Sequence, residues 1–202
     1  EKRYLFPPKL VFMKRIMLTA CLFVLAGFLV AGKAQSQEDM QKWMDYMTPS
    51  DVHKMLARFD GEWTGEIEMW MDPAAPSQKM MGKCVNKMIL DGRYQESVNT
   101  GEFNGMPFEG RNLLAYDNMR KVFIDTWIDN FGTGVLYMEG TWDPATKSIE
   151  LKGKMVDPMS GKMVDLRQVT KVVDDNTQIM QQYTMKDGRE FKSMEIKYTR
   201  NK

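Results

Sequence analysis

The sequence has 202 residues, and its 28 basic and 27 acidic residues leave a formal net charge of only +1. No block of Lys or Arg marks a nucleic-acid-binding surface, so the composition argues against a nucleic-acid binder. With only two cysteines, one of them in the N-terminal apolar run, we expect stability to come from a hydrophobic core, and the length suits a single domain.

Residues 13–34 have the pattern of a secretory signal peptide. Lys14 and Arg15 precede an apolar run over 16–30, and small residues follow up to Ala34. The run is about 15 residues long, whereas a membrane-spanning helix needs roughly 20. We therefore expect cleavage after Ala34, a periplasmic or secreted protein, and no stable transmembrane segment in the mature chain.

Residues 1–12 precede Met13, a plausible start, and are interpreted as a spurious upstream extension. Loss of residues 1–34 would change the net charge from +1 to −4 and would leave Cys84 without a disulfide partner. A lone Cys in a strand is expected to be a small buried hydrophobe. The alternative is a lipid anchor, because residues 18–21 resemble a bacterial lipobox ending at Cys21; the apolar run continues past Cys21, which argues against it.

Residues 35–59 are predicted to form short N-terminal helices. Met40, Trp43 and Met47 fall at helical spacing, and Thr48-Pro49 ends that pattern. Ser50 or Asp51 can then cap a second helix that runs through Phe59. His53, the only histidine, is expected on the surface of this second helix.

Residues 60–202 are predicted to form an all-β domain. The turn signals are Asp72–Pro76, Asp91-Gly92, Asn104-Gly105, Asp117-Asn118, Asn130–Gly132, Asp143-Pro144, Asp157-Pro158, Asp174–Asn176 and Asp187-Gly188. These nine turns separate ten strands, and the connections are too short for crossover helices, so neighbouring strands should be antiparallel. The expected fold is an up-and-down barrel of about ten strands, like those of lipocalins and fatty-acid-binding proteins.

The segment Gly61-Glu62-Trp63 resembles the signature that opens lipocalin-type (calycin) barrels. Arg200 ends the last strand on the same parity as its apolar residues. The resemblance implies that Trp63 and Arg200 meet in a cation–π contact and close one barrel end.

More specifically, the chain resembles the bacterial family catalogued as domain of unknown function 1579. The segments that carry the resemblance are 61–65, 105–110, 126–134, 157–161 and 194–200. It implies a lipocalin-like barrel and no agreed activity.

Polar residues at predicted inward positions are the candidate ligand-binding side chains. Strand alternation selects Tyr94, Glu96, Asn112, Tyr116, Glu139, Gln168 and Tyr183. Small-molecule pockets are mostly apolar with a few convergent polar groups, and this set could supply them. A one-residue change of register would turn any of these residues outward. Glu96 and Glu139 could also share a proton for acid–base chemistry if they met.

Neither a metal nor a cofactor is expected. The 20 methionines could form a copper site, but most stand singly at inward positions without a histidine, which favours core or pocket lining. His53 precedes the barrel, so haem ligation, a catalytic triad or a multi-histidine zinc site inside it is not favoured.

The loop 129–134 is interpreted either as a mouth flap gated by Phe131 or as a hairpin with a bulge.

These patterns favour a protein that binds a small apolar or amphipathic molecule inside the barrel. One alternative is an enzyme that uses carboxylates and Tyr within the same barrel. The other is a structural or interaction protein, including a homodimer formed through the fifth and sixth strands, which are apolar on both faces.

Overall fold

The structure, a computed structural model, describes residues 35–202. The predicted signal peptide, the upstream extension and Cys21 lie outside the described residues. The chain divides into two units after Met47. In the first unit, residues 35–47 form helix α1, in which Lys42 and Glu38 make an ion pair with a nitrogen–oxygen distance of 2.7 Å.

Helix α2, Asp51–Ala57, begins the second unit, and His53 organises its start. The Nδ1 atom of His53 accepts a hydrogen bond from the Ser50 N–H at 3.0 Å. It also lies 3.0 Å from the Ser50 hydroxyl oxygen. The imidazole is only 5% exposed and packs edge-to-face on Tyr116. The expectation of a surface histidine is therefore wrong, because the ring packs against Tyr116 and accepts the Ser50 N–H instead of facing solvent. Burial lowers the pKa of His53, which favours the neutral ring that this cap requires.

We predict that His53→Ala destabilises the protein by about 1–2 kcal/mol, because the cap is lost and the Ser50 N–H is left without its partner. Urea unfolding measures this difference. Lys54→Ala, at the exposed neighbouring position, is the control and should change the stability by less than about 0.5 kcal/mol. Equal effects of the two substitutions would contradict the assigned role.

Ten strands follow the helix. They are β1 Gly61–Met69, β2 Gln78–Ile89, β3 Tyr94–Phe103, β4 Met106–Asp117, β5 Val122–Asp129, β6 Leu136–Asp143, β7 Ser148–Asp157, β8 Lys162–Asp174, β9 Thr177–Lys186 and β10 Arg189–Arg200. Each strand pairs antiparallel with the next, and β1 pairs with β10, so the sheet closes into a barrel. The predicted ten-stranded up-and-down barrel is confirmed.

The tight turns have a local cause. In Asn104-Gly105 and Asp187-Gly188 both residues have positive φ angles, between 51° and 78°. Asn, Asp and Gly tolerate this left-handed conformation, which matches the twist of the two strands that each turn joins.

Helix α2 covers one end of the barrel, which we call the helix end. Leu56 packs in one cluster with Phe123 and Ile149, and Phe59 packs in a second cluster with Trp63. These three strand residues lie near the beginnings of odd-numbered strands, which meet at the same end of an up-and-down barrel. The opposite end carries the turns 104–105 and 187–188 and the loop 130–135, and we call it the far end.

Trp63 and Arg200 meet at the helix end. The Trp63 side chain is 1% exposed, and its indole N–H donates to the Phe59 carbonyl oxygen at 3.0 Å. The Arg200 guanidinium carbon lies 4.3 Å from the centre of the Trp63 ring. Arg200 also donates to the carbonyl oxygens of Arg58 and Asp60, at 2.5 and 2.6 Å. The last strand is thereby tied to the segment that links α2 to β1.

Candidate functional site

The inner face of the barrel can be followed from strand to strand, because directly paired residues lie on the same side of a sheet. Buried Trp63 pairs with buried Cys84, which pairs with Asn99. On β3, Gln95 and Ser97 are the buried residues of this parity. The inner wall therefore contains several polar side chains among apolar ones.

Tyr94 and Glu96 lie on the outer face of β3, so the prediction that they point inward is wrong. The reason is that Gln95 takes the inner position, where its amide donates to the Leu56 carbonyl oxygen at 2.8 Å and to Asp60 Oδ1 at 3.1 Å. A one-residue difference in register turns both neighbours outward. Glu96 lies 4.0 Å from Arg111, another exposed side chain.

Glu139 and Tyr183 also lie on the outer face, contrary to the prediction. The inner positions beside them are occupied by Met138 on β6 and Gln182 on β9. The Arg167 guanidinium lies over the Tyr183 ring, with its central carbon 4.1 Å from the ring centre.

The acid–base pair of Glu96 and Glu139 is not assembled. Glu139 makes a bidentate ion pair with Arg120, and this pairing lowers the pKa of the Glu139 carboxyl group. Glu96 lies three strands away, on the same outer face but near a different arginine. Each carboxylate has its own cation, and the two cannot share a proton.

Asn112, Tyr116 and Gln168 lie on the inner face. Tyr116 packs against Phe123, with ring centres 5.0 Å apart, and belongs to the core beneath α2. Asn112 lies deeper in the barrel and donates its amide N–H to the carboxylate of Asp125 on the next strand. Gln168 pairs directly with Gln182.

Asp125 is an inner residue that the sequence analysis missed. It is 3% exposed, and its partners across the strands are the apolar residues Leu114 and Met138. Burial raises the pKa of the Asp125 carboxyl group to about 7, although the hydrogen bond from Asn112 opposes the shift. Its Oδ1 atom receives this bond, while no group in residues 35–202 donates to Oδ2. The sequence held one signal for this position: Asp125 alternates with Phe123 and Trp127, so the three residues lie on one face of β5.

Asp125 is also the only inward-facing charged residue away from the strand ends in β1–β10. The other charged residues of the inner parity are Asp129, Asp157, Lys162, Lys186, Arg189 and Arg200, and each is the first or last residue of its strand. No lysine or arginine of these strands therefore neutralises the carboxylate inside the barrel.

In the middle of their strands, three side-chain amides on the inner wall have no partner within the described part of the chain. Asn99, Gln168 and Gln182 are half-buried, and their amide groups make no hydrogen bond to residues 35–202. In a closed sheet, an inward side chain away from the ends is exposed only to space within the barrel. These amides therefore line an internal space.

An aromatic cluster lies at the far end. Phe108 stacks on Trp127 and meets Phe131, whose ring centre is 5.4 Å away. The Trp127 indole lies over Gly110, where an added Cβ would be only 2.3 Å from the ring. Asp129 fixes the loop, since one carboxylate oxygen accepts the Trp127 indole N–H at 2.7 Å and the other accepts the Phe131 backbone N–H at 2.9 Å. Phe131 is 48% exposed at this rim.

The outer wall has a pocket of about 190 Å³ at strands β7–β10. Lys152, Arg167 and Glu190 contribute to its lining. Arg167 and Glu190 form an ion pair at 2.7 Å, so their charges already satisfy each other. The unpaired polar groups of the inner wall make it the stronger candidate site.

Within residues 35–202, no three His, Cys, Asp or Glu side chains are grouped so that they could hold a metal ion. No helix within residues 35–202 combines the length and the apolar character that crossing a membrane would require.

Comparisons with known proteins identify the family and support the fold. No curated protein matches the chain in sequence. The crystal structure of Rv2717c from M. tuberculosis is similar, with a TM-score of 0.57 and 14% sequence identity over 77% of this chain and 100% of that chain. At this identity the similarity concerns the fold alone. A family profile described as "Protein of unknown function (DUF1579)" matches residues 48–200, so the chain belongs to this family.

Proposed function

We propose that the barrel binds one small, mainly apolar or amphipathic molecule in its interior. The observation that carries this proposal is the set of inward amides, Asn99, Gln168 and Gln182, which are partly exposed inside a closed sheet and have no partner in residues 35–202. An amide removed from water without a hydrogen bond costs roughly 1–3 kcal/mol. Water or a ligand inside the barrel is needed to satisfy these groups.

The remaining lining favours a ligand with a large apolar part. Ile67, Met80, Met155 and Met194 share the inner face and are half-buried. Methionine is flexible and polarisable, so its side chain adapts to ligands of varied shape. An apolar wall with a few polar groups is the usual composition of a small-molecule site.

The cellular setting belongs to the same proposal. The signal-peptide pattern of residues 13–34 supports a periplasmic or secreted binding protein. The homodimer stays a prediction; Ile128 and Tyr137, both 47% exposed on the outer face of β5 and β6, are the side chains it would use.

The first test is to titrate the protein with 1-octanol and to measure the heat of binding by isothermal titration calorimetry. We expect one binding site per chain. Gln168→Phe should weaken binding by at least about 10-fold, because the larger ring fills the internal space. Lys171→Phe is the matched control on the outer face of the same strand and should leave the affinity within about 2-fold.

Circular dichroism establishes that both variants keep the barrel. Gln182→Phe provides a second filling substitution at the paired position, should Gln168→Phe fail to fold. Failure of the wild-type protein to bind octanol, or equal losses for the inner and outer variants, would contradict binding inside the barrel.

A further inference from the structure

We propose that Asp125 and Asn112 form a polar recognition site that selects an amine, so that the preferred ligand is a small, mainly apolar cation. This inference rests on the proposed function, since it names the ligand class for the same interior. It is carried by two unpaired acceptor atoms and by the distribution of charge on the inner wall.

The two acceptor atoms belong to neighbouring strands. Asn112 uses its amide N–H groups to reach Asp125 Oδ1 and, at 3.4 Å, the Thr126 carbonyl oxygen. This orientation leaves the amide oxygen of Asn112 without a donor in residues 35–202. Asp125 Oδ2 is likewise free of any donor in this part of the chain. A ligand that carries several N–H donors on one atom, as an ammonium group does, can satisfy both oxygens.

The charge distribution selects a cation over a neutral group. An isolated carboxylate among apolar side chains is costly, and Asp125 faces Leu114 and Met138 across the neighbouring strands. Within β1–β10, the basic residues of the inner parity are confined to strand ends. A ligand ammonium group would supply the positive charge that the wall itself does not provide. An anionic ligand is disfavoured, because its carboxylate and that of Asp125 would repel each other.

Burial also raises the pKa of Asp125, which supports the same interpretation. In the empty barrel the Asp125 carboxyl group keeps its proton up to about pH 7, as expected for a buried acid without a nearby cation. A bound ammonium group reverses this preference, because an opposite charge at hydrogen-bonding distance favours the ionised form.

The test compares three probes with the same eight-carbon chain at pH 8: octylamine, 1-octanol and octanoate. We expect the wild-type protein to bind octylamine at least about 10-fold more tightly than octanol, and octanoate most weakly. Asp125→Asn keeps the size and the hydrogen bond with Asn112 but removes the charge. This variant should bind octylamine and octanol with affinities within about 2-fold of each other, so that the preference for the amine is lost.

Asp165→Asn on the exposed outer face is the matched control and should retain the preference for the amine. The comparison of probes on the wild-type protein decides the inference even if Asp125→Asn does not fold. Equal or tighter binding of octanol or octanoate would overturn amine selection while leaving ligand binding intact. A preference that persists in Asp125→Asn would overturn the assignment to Asp125. Failure of all three probes to bind would contradict the proposed function itself and this inference with it.

Discussion

Trp63→Ala is expected to destabilise the barrel by about 3–5 kcal/mol, the usual cost of removing a large aromatic side chain from a core. The indole is 1% exposed, packs with Phe59 and Cys84, and carries the Arg200 guanidinium on its face. The substitution leaves a cavity at the helix end and removes the donor to the Phe59 carbonyl oxygen. Urea unfolding followed by far-ultraviolet circular dichroism measures the loss.

Trp43→Ala serves as the control for this prediction. Trp43 lies in α1 and is 60% exposed, so its removal should change the stability by less than about 0.5 kcal/mol. A loss below about 1 kcal/mol for Trp63→Ala would show that the helix end is not sealed by this side chain.

Asp125→Asn is expected to stabilise the empty protein at pH 8 and to change its stability little at pH 4. Burial raises the pKa of Asp125 from 3.8 to about 7, so the folded state holds a proton that the unfolded state releases between these values. Stability therefore falls as pH rises through this window and stays lower above about pH 7. The full difference corresponds to up to about 4 kcal/mol, and the asparagine variant avoids it because it does not ionise.

The measurement is the free energy of unfolding of both proteins from pH 4 to pH 8, without added ligand. The outer-face variant Asp165→Asn should run parallel to the wild type over the whole range. A stability difference between Asp125→Asn and the wild type that does not grow with pH would mean that Asp125 ionises freely in the folded protein.

The strands and turns could be predicted because their signals are local. Asp-Gly and Asn-Gly pairs adopt positive φ angles wherever they stand between two strands, as at 104–105 and 187–188. The closing contact followed from a resemblance that names two positions, Trp63 and Arg200. The same sequence could not show which face of every strand is the inner one.

The inner face was misjudged where the interior is polar and the exterior apolar. On β3 the inner positions hold Gln95 and Ser97, while Val98 faces outward, so alternation pointed to the wrong side. Hydrophobic alternation separates two faces only when one of them meets water and the other meets a dry core. A barrel with amides on its inner wall does not meet this condition.

Asp125 escaped prediction for a related reason. It lies in β5, which also carries Val122 and Ile124 and reads as apolar on both faces. Its importance depends on Asn112, which is 13 residues away in sequence and becomes its neighbour only when β4 and β5 pair. Contacts across strands of this kind require the register, which the sequence leaves open.

The central claim is that the ligand binds inside the barrel, and the methionine methyl groups test it most directly. The inward methionines include Met80, Met138, Met155, Met180 and Met194, whereas Met81, Met159, Met163 and Met185 are exposed on the outer surface or in a turn. Titration of protein labelled with ¹³C at the methionine methyl groups compares both sets in one spectrum. We predict that octylamine shifts the inward methyl signals and gives nuclear Overhauser contacts to them, while the outer signals stay unchanged. Shifts confined to the outer methyl groups would contradict binding in the interior.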